Sequence, residues 1–92
     1  AAYQEWTSLD QEILARLEDA VRSGASPDGP EGQALTRLHR RWLTFTIPTC
    51  DAAQHRGIAA LYVADPRFTA YYDRNLPGCA RFLSEAVARW AE

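Results

Sequence analysis

Apolar residues recur at three- and four-residue steps along most of this chain, and breaks rich in Gly, Pro, Asn and Asp separate the runs. Trp6, Leu9, Ile13, Leu17 and Val21 form the first stripe, widened by Leu14 and Ala20, which predicts a helix over 3–22. Ser8 and Gln11 have the spacing of a capping box, yet Trp6 carries the stripe upstream of them, which equally suits Ser8 inside the helix. Gly24 fits the left-handed position after a helix end, and 24–30 reads as a loop. A second helix is expected from Asp28 as N-cap, with Glu31 reaching back, to about Phe45, with Leu35, Leu38, Trp42 and Phe45 on one apolar face.

Pro48 ends that pattern, and Asp51 with Gln54 predicts the cap of a third helix. This helix should turn His55, Ile58, Ala59, Leu61, Tyr62 and Val63 toward the interior or a cleft. Gly57 in its middle costs about 1 kcal/mol relative to alanine, and such a glycine marks a close helix approach or room for something bound. Asp65 as N-cap and Pro66 at the first helical position start a fourth helix that ends near Asp73. Pro77 should open a fifth, running to about Trp90 and burying Phe82, Leu83, Ala86, Val87 and Trp90. No segment alternates as a strand does, so the expectation is a single all-α domain of about five helices.

Composition sharpens this. A chain of 92 residues with 47% hydrophobic content is large enough for one core. No apolar run approaches the ~20 residues needed to span a bilayer, and the start shows no signal-peptide pattern, so a cytoplasmic protein without membrane contact is expected. The lack of methionine points to a processed form or a piece of a longer protein. All ten basic residues are arginine, which removes lysine-based covalent chemistry. A net charge of −2 with scattered arginines argues against direct nucleic-acid contact by this chain.

The candidate chemistry is aromatic. Residues 55–73 carry three of the four tyrosines. Trp42, Phe68 and Phe82 suit a core, whereas the hydroxyls of Tyr62, Tyr71 and Tyr72 need partners and suit a pocket or its rim. Adjacent helical residues point about 100° apart, so one of Tyr71 and Tyr72 should face the cleft. His39 and His55 lack a third ligand at metal spacing; they read as structural histidines or as hydrogen-bonding groups at the cleft mouth. Cys50 with His55 is the one nucleophile–base pairing, without an orienting third residue, so no enzyme is expected. Both Cys50 and Cys79 read as free buried thiols. Arg67 in the first turn of the fourth helix and Asp73 in its last both oppose the macrodipole, so each should have an ion-pair or capping partner.

Leu38-His39-Arg40-Arg41-Trp42-Leu43, His55-x-Gly57, the run from Leu61 to Val63 followed by Asp65-Pro66-Arg67-Phe68, Tyr71-Tyr72-Asp73 and Pro77-Gly78 together resemble the TipAS antibiotic-recognition domain. The resemblance spans nearly the whole chain. It implies a globin-like helical fold without haem or other cofactor. It also implies a hydrophobic cleft, between the second, third and fourth helices, for peptide-type antibiotics such as thiopeptides. Such domains form the drug-sensing C-terminal part of MerR-family activators, which bind DNA as homodimers through an N-terminal domain absent from this chain; others are free-standing sequestering proteins. A helical interaction module that has lost drug binding is a further alternative. The ligand-binding residues expected on this basis are His39, Trp42, Phe45, His55, Tyr62, Phe68 and Tyr72. Some members capture thiopeptides through a cysteine; Gly57 holds that position here and Cys50 falls at a second, non-capturing one, which implies reversible binding.

Overall fold

The computed structural model describes residues 2–92, and every regular element among them is helical. The order is α1 (Ala2–Ser23), α2 (Pro30–Leu43), α3 (Ala52–Ala64), α4 (Pro66–Tyr72) and α5 (Cys79–Trp90). The five-helix, all-α expectation holds.

The helix α5 is the centre, packing against each of the other four. Its buried stripe alternates bulky Phe82, Leu83 and Val87 with small Ala80 and Ala86, which lets neighbouring helices come close. Ile13, Leu14, Leu17 and Ala20 from α1 share its core cluster, Leu9 is buried as well, and Ser8 lies within α1 as the continuing stripe allowed. The buried face of α2 is Gly32, Leu35, Thr36, His39 and Leu43. It is therefore rotated from the expected one: Leu38 and Trp42 are at its edge, half-buried, and Phe45 falls beyond the helix end. Gly32 shows why. A Cβ there would lie 1.8 Å from the Pro27 carbonyl oxygen, so this face of α2 is seated directly on the preceding loop.

The helix ends divide into local and distant solutions. At α3 the capping box forms as expected: Asp51 accepts the Gln54 N–H at 2.8 Å, and the Gln54 side chain accepts the Asp51 N–H at 3.2 Å. At the α3–α4 corner Asp65 accepts the Arg67 N–H at 2.9 Å, and the Thr69 hydroxyl donates to the Tyr62 carbonyl at 2.6 Å, fixing the angle between the helices. The Arg67 guanidinium also pairs with Asp65 at 2.8 Å, so its expected partner is its own helix cap.

Two starts differ from expectation. Pro30 occupies the first turn of α2, so Gly29 is the N-cap in place of Asp28, and Glu31 pairs instead with Arg16 of α1 at 3.1 Å. For α5, Pro77 stays in the loop and Gly78 is the N-cap with φ +101°, a value that favours glycine. The Asp73 carboxylate reaches across that loop to accept the Ala80 N–H at 2.8 Å, the capping bond its position called for.

The outer face of α3 is also a correction. His55, Ala59 and Tyr62 are buried and Ile58 is half-buried, but Leu61 and Val63 are about half exposed. Gly57 lies on the exposed side as well, with nothing within 4 Å of where a Cβ would be, so it serves no close approach.

A candidate ligand-binding groove over a buried histidine pair

The helices α1 and α4 make little direct contact, and the space between them is an open groove of about 540 Å³. That is within the range of sites for drug-sized ligands. Trp6 and Asp10 line it from α1, Trp42 from α2, Tyr62 from α3, and Arg67, Phe68, Tyr71 and Tyr72 from α4. Trp6 and Trp42 stack with centroids 5.4 Å apart, forming one wall. Opposite, Tyr62 packs against Phe68 at 5.4 Å and Tyr72 at 4.7 Å, and Tyr71 stands edge-on to Tyr72. The Tyr71 hydroxyl donates to the Asp10 carboxylate and links α4 to α1 across the groove.

Of the residues expected to meet ligand, Trp42, Tyr62, Phe68 and Tyr72 come together here. His39 and His55 do not line it; both are fully buried beneath its floor rather than at a cleft mouth. Phe45 belongs to a separate shallow groove with Tyr3 and Trp6. Tyr71 and Tyr72 both line the main groove, because a groove running along a short helix meets residues on more than one side of it. Trp6 and Asp10 were missed. They are four residues apart on one face of α1, so the pairing was visible, but its closeness to α4 was not.

Below the floor runs a hydrogen-bonded chain. Tyr62 Oη lies 3.0 Å from His39 Nε2, and His39 Nδ1 lies 2.8 Å from His55 Nε2. Burial, and for His39 the neighbouring His55, hold the two imidazoles far below the usual histidine range, at about 3 for His39 and about 4 for His55. Arg40 and Arg56 add to the effect at His55. Both rings are therefore neutral near pH 7, and each carries one proton to share. His39 Nδ1–H can donate to His55, leaving His39 Nε2 to accept from Tyr62; or His55 Nε2–H donates to His39, whose Nε2–H then donates to Tyr62. His55 Nδ1 is buried without a partner, beside a small cavity of about 40 Å³ edged by Thr36, Arg37, Arg40, Trp90 and Glu92.

Covalent chemistry has little footing in this arrangement. Cys50 and Cys79 are free and buried, and burial pushes both thiols up, Cys79 to about 11. His55 gives Nε2 to His39 and makes no bond to Cys50. Among the described residues no three His, Cys, Asp or Glu side chains are grouped to hold a metal. No helix of the described residues is long and apolar enough to cross a membrane.

Known proteins share this sequence pattern. The TipAS antibiotic-recognition domain family matches residues 1–90. The chain is 32% identical over 94 residues to the HTH-type transcriptional regulator SkgA of Caulobacter vibrioides, covering 96% of this chain and 36% of that protein. It is 26% identical over 87 residues to the HTH-type transcriptional activator TipA of Streptomyces coelicolor, covering 91% and 34%. The chain thus spans about a third of the length of these relatives. No solved structure matches it. With a family match over 90 of its 92 residues, the chain belongs to the TipAS antibiotic-recognition domains.

Proposed function

We propose that this chain is the drug-sensing part of a MerR-type transcriptional regulator and binds hydrophobic, peptide-type antibiotics reversibly in the α1–α4 groove. The open aromatic groove carries the reading, since it has room for a drug-sized ligand or one segment of a larger macrocycle. A module that had lost binding would have closed this space with its own side chains. Reversibility follows from the thiols: Cys50 is 1% exposed, and Gly57, at the capturing position, faces open solvent away from the groove. The related HTH-type regulators extend well beyond the matched third, and this favours a regulator that contacts DNA, as a homodimer, through a part outside this chain over a free-standing sequestering protein. Ligand recognition, rather than catalysis, is the role in this reading.

Isothermal titration of the chain with a panel of thiopeptides and other hydrophobic peptide antibiotics tests it. At least one should bind saturably and be recovered unmodified on dilution. Phe68→Ala should weaken binding about tenfold, the equivalent of roughly 1.4 kcal/mol of lost aromatic burial. Phe68 is 39% exposed, so stability should change far less than affinity. No saturable heat with any member of the panel would overturn the proposal.

A further inference from the structure

The groove has an unequal electrostatic character. Six aromatic rings face it, from Trp6, Trp42, Tyr62, Phe68, Tyr71 and Tyr72, and the faces of such rings are electron-rich. Two charged side chains reach it, Asp10 and Arg67. Their situations differ. Arg67 is held by Asp65 through two contacts, at 3.2 and 2.8 Å, so its charge is already compensated. Asp10 has no ion pair among the described residues; one carboxylate oxygen accepts the Tyr71 hydroxyl and the other has no partner. Burial, with the hydrogen bond to Asp10 and then its charge, pushes the Tyr71 phenol up to about 12 against the opposing Arg74, so the phenol remains a donor to the carboxylate in the wall. Tyr71 already carries a cation on one face: the Arg74 guanidinium carbon lies 4.9 Å from its ring centroid.

A neutral ligand gains burial and the hydrogen bonds its polar atoms make with the wall, but nothing from the charge of Asp10. An anion meets the Asp10 carboxylate in the wall, while Arg67, the arginine that lines the groove, is already held by Asp65, and Arg74, which does not line it, is engaged over the Tyr71 ring. A cation with a hydrophobic body gains burial, the ring faces and the free oxygen of Asp10 together. Resting on the reading of this groove as the drug site, we infer that it selects lipophilic organic cations, with Asp10 as the residue that sets the charge preference. An antibiotic suited to it carries a quaternary ammonium, amidinium or protonated amine next to an aromatic or macrocyclic surface.

The test titrates the purified chain calorimetrically, at low ionic strength, with two near-isosteric ions of opposite charge, tetraphenylphosphonium and tetraphenylborate, and with neutral triphenylphosphine oxide, which is one phenyl ring smaller. The phosphonium should bind at least tenfold more tightly than the borate, its isostere of opposite charge, and more tightly than the smaller phosphine oxide. Asp10→Asn keeps an acceptor for Tyr71 and removes the charge; it should lower phosphonium affinity about tenfold and so close most of the gap between the phosphonium and the borate. Borate binding as tight as phosphonium binding, or an Asp10→Asn variant that holds the phosphonium undiminished, would overturn the inference. If peptide antibiotics bind and all three probes fail, the charge preference is wrong and the drug-site reading stands. If the phosphonium binds in an Asp10-dependent way and no peptide antibiotic does, the peptide class is wrong and the charge preference stands.

Discussion

His39 and His55 occupy core positions that an aliphatic residue would fill more simply, and this gives the protein an acid weakness. Their folded values of about 3 and about 4 lie below the ordinary value of 6.5. The unfolded chain therefore binds protons that the folded chain refuses, and stability falls as pH drops from 6.5 toward 4. Arg40 and Arg56 reinforce this at His55, and Tyr62, the remaining hydrogen-bonding neighbour, stays neutral because burial raises its phenol. For His55 alone the loss is on the order of 3 kcal/mol, a large part of the roughly 5–15 kcal/mol expected of a small domain. Urea unfolding at pH 7, 6 and 5 should show a steadily falling midpoint. In His55→Gln the midpoint at pH 7 should be lower but its pH slope flatter. A wild-type midpoint unchanged between pH 7 and 5 would contradict the neutral, buried pair.

Among the helices, two glycines that look alike in sequence should respond in opposite ways to the same change. Gly57→Ala places a methyl group in open space on the outer face of α3 and should stabilise by up to about 1 kcal/mol. Gly32→Ala drives a methyl into the Pro27 backbone and should cost about 1–3 kcal/mol or more, as overpacking does. Thermal melts of the two variants settle the comparison. The periodicity alone cannot separate them, because it shows which residues share a face and not what the face meets. The same reasoning explains what was readable. The Asp51–Gln54 box and the Asp65-Pro66 corner are local chemistry, complete within four residues, and both formed as the sequence predicted. The starts of α2 and α5 differ because Pro30 and Gly78 set the caps, while Glu31 pairs with Arg16 of another helix and Asp73 reaches across a loop to Ala80. For the groove, Trp42, Tyr62, Phe68 and Tyr72 could be named from residue type and resemblance. Trp6 and Asp10 could not, since their place depends on the gap between α1 and α4, a matter of how five helices share one core.

Across the whole molecule, the chain from Tyr62 through His39 to His55 connects the groove floor to the cavity beside Arg37 and Glu92. Because each neutral ring has one proton, the chain has two settings and no intermediate one. A ligand group that took the place of Tyr72 beside the Tyr62 hydroxyl and accepted from it would select the setting in which protons point toward the groove, and His55 Nδ1 would then be a bare lone pair. A group that donated to Tyr62 would select the opposite setting and put a proton on His55 Nδ1. The polarity of one ligand atom would thereby be written, as a single binary choice, onto a nitrogen on the other side of the core, with no helix having to move. Long-range nitrogen-15 NMR of the imidazoles should show both rings exchanging their protonated nitrogens together between a ligand that accepts and one that donates. Rings that keep fixed tautomers with both ligands would show that the message stops at the groove floor.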